Sequence, residues 1–260
     1  MEDDELKAIL REAFGDSSSD SDGEASPERR ELVQFNHSNS EIGRPQSIFG
    51  DNSIWEPISE INGLSICRDF LSADQQRSLL SALEKEGYLG EASQNQAMRF
   101  GDLPPWALEL SRIIRENVLL SDNSKESCLF PSKLIGREPL FNQLIVNIYQ
   151  PGEGICAHVD LMRFEDGIAI VSLESSCVMH FSPVEDEVVG KCQEANHKCV
   201  TSAKIPVLLN PGSVILMWGE ARYQWKHEIN RKPGFQNWQE QEIDQKRRTS
   251  VTLRRLCGTE

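Results

Sequence analysis

From residue 54 onward, apolar positions recur first at helical spacing and then, after Phe141, at every second residue. In "SADQQRSLLSALEKEG", Ser72 and Gln75 stand three apart as a capping box, and Gly87 sits where a helix should stop. "PWALELSRIIREN" opens with Pro105 at a first-turn position and sets Trp106, Leu110, Ile113 and Asn117 on one stripe. Two helices are therefore predicted to lead the domain, with residues 121–140 as loop. Beyond them "QLIVNIY", "AIVSLES", "CVMHFSP", "IPVLL", "SVILMWG" and "RRTSVTLRR" read as short strands separated by Gly, Pro, Asn and acidic turns. Short strands after two helices predict a mainly β fold with flanking helices, a β-sandwich or jelly roll.

The first 50 residues break this pattern. "DSSSDSDGEASPERRE" is rich in acid and serine and poor in apolar residues, which predicts a disordered tail over 1–50 and a globular domain over 54–257. Within the tail, Leu6, Ile9, Leu10 and Phe14 recur at helical spacing, either as a solvated helix or as a segment that folds onto a protein partner. The net charge is −14, half of it carried by residues 1–50. The basic face that non-specific duplex binding needs is not visible, so a nucleic-acid substrate would have to be gripped locally. No apolar run approaches the roughly 20 residues of a membrane span. The start is acidic where a secretory or transit peptide is basic. Seven cysteines lie without a closely spaced, even framework. A monomer in a reducing compartment, cytoplasmic or nuclear, with no membrane partner, is the expectation.

The chemistry gathers around "NIYQPGEGICAHVD", residues 147–160. In a strand, residues two apart share a face, so His158 and Asp160 are expected to project together. By the same parity Asn147 and Tyr149 face away from Val146 and Ile148. The turn between them is read as needing Gly152 and Gly154 for backbone angles that other residues avoid. A fixed imidazole and carboxylate are two thirds of the 2-His-1-carboxylate set of non-haem Fe(II) oxygenases. The third ligand would be a histidine from a later strand. With His37 in the tail, the choice lies among His180, His197 and His227. His227, closing "GEARYQWKHEI" after a strongly apolar strand, is the best placed. An oxygenase of this kind takes a keto diacid as cosubstrate, which asks for arginine forks. "RTSVTLR" supplies them: Arg248, Ser250, Thr252 and Arg254 share one face, Val251 and Leu253 the other. The two arginines lie roughly 20 Å apart along a strand, and leaning toward each other they would grip both ends of the diacid.

Taken in order, the N-x-Y, H-x-D, late histidine and R-x5-R elements over roughly residues 55–256 resemble the AlkB family of 2-oxoglutarate and Fe(II)-dependent dioxygenases. The runs "IPVLLNPGSVILMWGEARYQWKH" and "FEDGIAIVSLES" are most similar to the branch whose animal member oxidises modified wobble uridine in tRNA. That member carries RNA-recognition and methyltransferase domains, neither of which is read here, so its substrate does not carry over. The resemblance implies a double-stranded β-helix (jelly-roll) core. It implies Fe(II) bound by His158, Asp160 and His227, and 2-oxoglutarate contacts from Asn147, Tyr149, Arg248, Ser250 and Arg254. Arg248 would hold the distal carboxylate with Tyr149, and Arg254 would sit nearer the metal. It further implies that His158 stacks on a flipped base covered by an aromatic from an N-terminal lid. Phe100 and Trp106 in "NQAMRFGDLPPWA" are the candidates, although Trp106 also fits its helix stripe. Trp225 shares strand parity with His227 and is a third.

The implied reaction consumes O2 and 2-oxoglutarate and oxidises alkylated or modified nucleic acid, RNA or single strands rather than duplex DNA. Oxidation of a protein side chain is an alternative within the same chemistry, and a catalytically weak partner-binding scaffold is one outside it. "CQEANHKC" puts Cys192, His197 and Cys199 in one insertion, but the spacing matches no regular zinc finger, and a surface loop is expected.

Overall fold

Ser72 and Gln75 close the capping box that their spacing predicts. The Ser72 hydroxyl accepts from the Gln75 amide, and the Gln75 side chain accepts from the Ser72 amide. They start helix α1 (Ala73–Lys85), after which Gly87 takes φ +77°. Pro105 opens α2 (Pro105–Asp122), and Asn117 on its stripe accepts from the Trp55 indole at 2.6 Å. This computed structural model describes residues 54–89, 95–122, 128–184, 204–230, 232 and 234–258. The N-terminal tail with its Leu6–Phe14 pattern and the Cys192, His197 and Cys199 insertion lie outside them. No described helix is long and apolar enough to cross a membrane.

The strands are β1 (Trp55–Pro57), β2 (Leu64–Cys67), β3 (Gln96–Phe100), β4 (Gln143–Tyr149), β5 (Ile155–His158), β6 (Ile168–Leu173), β7 (Cys177–Pro183), β8 (Ile205–Leu209), β9 (Val214–Met217), β10 (Trp225–Ile229), β11 (Asn237–Trp238), β12 (Gln241–Glu242) and β13 (Arg248–Arg254). They build a seven-stranded sheet ordered β1-β2-β9-β6-β13-β4-β3 and a four-stranded sheet ordered β5-β10-β7-β8, with a small β11-β12 hairpin apart. Every described strand pairing is antiparallel. Two facing sheets connected in this order form the double-stranded β-helix.

Strand parity sorts the large sheet into two faces. Val146, Val171, Val214, Val251 and Leu253 join one core with Leu79 and Leu83 of α1 and Ala107, Leu110 and Ile114 of α2. Ile66, Ile170, Ile215 and Met217 join a second core with Met179, Phe181, Val207 and Leu209 of the small sheet. Each such side chain stabilises the fold by about 1.5–3 kcal/mol on burial. Where the inner face turns polar, at Gln143, Asn147, Ser172, Arg248, Ser250 and Arg254, a site is left between the sheets.

Several elements differ from expectation. Strands β1 and β2 precede the first helix and β3 separates the two helices, so the helices do not lead the domain. β1 and β2 are three and four residues long, and β2 is buried throughout, so neither shows alternation. A one-turn helix, α3 (Ser132–Ile135), interrupts the expected loop, with Leu134 and Ile135 buried. A second, α4 (Glu220–Tyr223), leads into β10.

Gly152 has the expected positive φ, +81°. Gly154 is needed for a different reason: a Cβ there would lie 2.0 Å from the Ile229 carbonyl oxygen. Its role is the close approach of two strands. Gly154→Ala is accordingly expected to cost about 1–3 kcal/mol, as overpacking does, read as a lowered urea midpoint. An unchanged midpoint would show that β5 and β10 do not come this close.

Candidate active site

His158 ends β5 and His227 lies mid-way along β10, and the two are direct cross-strand partners. The pairing slips between His227 and Ile229, where three steps along β5 match two along β10. This bulge lets both Ile155 and His158 turn inward, as bulges beside active sites commonly do. The two imidazole centroids come within 4.3 Å. His158 Nδ1–H donates to the Cys156 carbonyl at 2.8 Å, which leaves its Nε2 lone pair free for a metal.

Asp160 is not on the strand. β5 stops at His158, and the carboxylate reaches the same place from the connection that follows. Asp160 Oδ1 accepts from Arg254 Nη1 at 2.6 Å, and Oδ2 lies 3.7 Å from His227 Nε2. One ligand atom from each of His158, Asp160 and His227 lies within 4.8 Å of the others.

Electrostatics prepare this set for a cation. Burial alone would raise the Asp160 pKa, but Arg254, His227, His158 and Arg222 outweigh it and hold the carboxyl down at about 2. Burial, aided by His158, lowers His227 to about 4 against the pull of Asp160. At neutral pH the set therefore offers an ionised carboxylate and a neutral His227 imidazole, the protonation states that a divalent ion binds. These residues fit Fe(II).

The cosubstrate side fits as well. Arg248 is 3% exposed, and its Nη2 donates to Ser172 Oγ at 2.8 Å. The guanidinium lies 5.4 Å from the Tyr149 ring centroid, and burial raises the Tyr149 pKa against the charge of Arg248. Arg248 Nε and Nη1 are buried with no partner among the described residues. A buried cation left half-satisfied is costly, and a carboxylate meeting Nη1 together with the second hydrogen of Nη2 would satisfy its end-on fork. Beside it opens a small, partly open pocket lined in part by Tyr149, Cys177, Ile229 and Gln236. Asn147 lies one row along the same face, opposite both Gln96 and Ser250, and its Oδ1 accepts from Gln96 Nε2 at 2.6 Å.

Arg254 does not lean toward Arg248. Besides Asp160 it donates through Nε to Gln143 Oε1 at 2.7 Å, and its guanidinium stacks 3.9 Å from the Phe164 ring centroid. The picture of two arginines converging on one diacid is replaced by one arginine at the cavity and one at the carboxylate ligand. Phe100, opposite Gln143 and in line with Arg254, lies half-buried on the site face. Trp225 packs against the core between the sheets, two residues from His227. Trp106 is brought elsewhere: it packs against the helix-side core and edge-on to Tyr88 at 5.9 Å, on the far side of the large sheet. Its helix stripe, rather than a lid, determines its place. Gln143 escaped the sequence reading, although it has the inward parity of Asn147 and Tyr149. Arg222 also escaped it; no local pattern marks a buried arginine.

Residues 89–254 match the 2OG-Fe(II) oxygenase superfamily. The tRNA (carboxymethyluridine(34)-5-O)-methyltransferase alkbh8 of Xenopus tropicalis is 29% identical over 177 residues, covering 64% of this chain and 25% of that protein. The alkylated DNA repair protein ALKBH8 homolog of Arabidopsis thaliana is 28% identical over 196 residues, 66% of this chain and 52% of that protein. The chain thus spans from a quarter to about half the length of these curated relatives. The solved structure of OsALKBH1 superposes with a TM-score of 0.48 at 16% identity, covering 74% of this chain and 96% of that one. The AlkB resemblance read from the motifs agrees with the two curated relatives.

Proposed function

This chain belongs to the 2OG-Fe(II) oxygenase superfamily, and from that premise we propose that it oxidises an alkylated or modified base in RNA or single-stranded nucleic acid. In this reading His158, Asp160 and His227 hold Fe(II), Arg248, Tyr149, Ser250 and Asn147 receive 2-oxoglutarate, and Arg254 acts at the metal end through Asp160. The observation that carries it is the cluster of three ligand atoms on the same interior as a buried, half-satisfied Arg248. When bound, iron with 2-oxoglutarate and O2 supplies an oxidative decarboxylation to succinate and CO2, coupled to oxidation of a substrate C–H bond.

The chain's own residues do the placing. The Cys156 carbonyl fixes the His158 tautomer, and Arg254 keeps Asp160 ionised and turned inward. Phe181, against His227 at 6.1 Å between ring centroids, and Ile229 line the interior with apolar surface that excludes water. Phe100 and Trp225 stand at the site as aromatic surfaces for a planar substrate. Residues 1–50 are read as an acidic tail outside the catalytic domain.

The nucleic-acid assignment is supported by what the two curated relatives are named for, tRNA modification and alkylated DNA repair. The net charge of −14 favours a locally gripped single strand over a duplex held by its phosphates. On an N-methylated base the oxidised carbon leaves as formaldehyde. The test is to incubate the protein with Fe(II), 2-oxoglutarate and either methylated RNA or methylated peptides, and to measure formaldehyde. Release from RNA is expected; release from peptides alone would move the substrate to protein side chains.

A further inference from the structure

Because β5 ends before Asp160, no sheet ladder holds the carboxylate ligand in place. Its backbone carbonyl accepts instead from one side chain, while further along the segment Phe164 bridges to Leu256 just beyond β13. Arg222, on α4, is 1% exposed. Its Nη1 donates to the Asp160 carbonyl at 2.9 Å, and its Nη2 to the carbonyls of Leu161 at 2.7 Å and Phe164 at 3.2 Å. The segment curls to present them, with the Phe164 amide closing back on the Leu161 carbonyl at 3.1 Å. Arg254 grips the same segment from the opposite side, through the Asp160 carboxylate and the Phe164 ring.

Burying a guanidinium is expensive, and three backbone carbonyls meeting its terminal nitrogens offset that cost, while its Nε has no partner among the described residues. α4 runs directly into β10, so Arg222 stands five residues before His227 in the chain. A single residue thus ties the backbone of one ligand to the strand that carries another.

We infer that Arg222 is a positioning residue of the metal centre, setting where Asp160 stands relative to His227. The inference rests on His158, Asp160 and His227 being the metal ligands, and the test separates the two claims. Mn(II) affinity is measured by calorimetry on the full chain, together with the rise in Tm that a fixed Mn(II) concentration produces. The proteins compared are the parent, His158→Ala, Arg222→Met and Arg222→Lys. Partners that orient metal ligands typically contribute 10–100-fold in affinity. Arg222→Met is expected to bind Mn(II) more weakly by that factor, with Arg222→Lys between it and the parent. The Mn(II)-induced rise in Tm should shrink in step, since stabilisation by a ligand follows its affinity.

A residue that merely holds the fold together would lower the metal-free Tm and leave both the affinity and the rise unchanged. That result in either Arg222 variant overturns the inference. Should Arg222→Met fail to fold, Arg222→Lys decides by the same criterion. If instead the parent shows no Mn(II) binding that His158→Ala removes, the ligand assignment itself fails and takes this inference with it.

Discussion

Replacing His158 with alanine is expected to lower Fe(II)-dependent conversion of 2-oxoglutarate to succinate by more than about 100-fold, beyond what losing an orienting partner costs. The variant should still unfold cooperatively, because His158 is only partly buried and its hydrogen bond is to its own strand. Asp160→Ala is expected to lose activity to the same extent, but with a second consequence. Asp160 is 8% exposed and is the carboxylate partner of Arg254. Removing it strands a buried guanidinium, and breaking a buried pair in this way costs about 3–5 kcal/mol. Asp160→Ala should therefore shift the denaturation midpoint strongly, whereas His158→Ala should not. Succinate release and chemical denaturation of the two variants check both halves. Undiminished succinate formation in either would falsify the metal assignment.

Arg248→Lys is expected to weaken 2-oxoglutarate binding by about 1–3 kcal/mol, the range of a hydrogen bond to a charged group, or roughly 5- to 150-fold in Kd. Lysine keeps the charge and loses the planar fork. It also gives up the contacts that aim the fork, the bond to Ser172 and the face of Tyr149. Nη1 has no partner among the described residues, and with the second hydrogen of Nη2 it forms the end-on fork that a distal carboxylate would meet. Arg254→Lys should behave differently, since Arg254 is engaged by Asp160 and Gln143. Its loss should disturb how the keto acid sits on the metal and uncouple decarboxylation from substrate oxidation. An anaerobic titration of 2-oxoglutarate into the Fe(II)-loaded variants, followed by the metal-to-ligand absorption band, measures the affinities. Parent-like affinity in Arg248→Lys would mean that this arginine never meets the cosubstrate.

Features that repeat with a strand's or helix's own period were readable in advance. The alternation in "RTSVTLR" separated Val251 and Leu253, which face the helices, from Arg248 and Arg254, which face the site. The Ser72–Gln75 box was visible because both its bonds are local. Features set by distant partners were not. Asp160 was expected on a strand with His158, yet it is placed by Arg254 and Arg222, 94 and 62 residues away in sequence. The spacing around Gly154 does not show why glycine is required, because the atom that forbids a side chain there belongs to Ile229 on β10. Trp106 had two readings at one spacing, and which side of the sheet its helix covers decides between them.

The position of β5 bears on how long a metal would stay. β5 is the outermost strand of the small sheet, four residues long, with Cys156 and Ala157 exposed. His227 lies on β10, flanked by β5 and β7, whereas β5 has β10 as its single described neighbour. Short edge elements open at far lower free energy than the global unfolding that would free a central strand. The centre therefore has one ligand on a hinge and one on a wall. Fraying of Ile155–His158 would lift a ligand away, so the residence time of an ion held there should follow local opening, and a bound ion should in turn slow amide exchange along that strand.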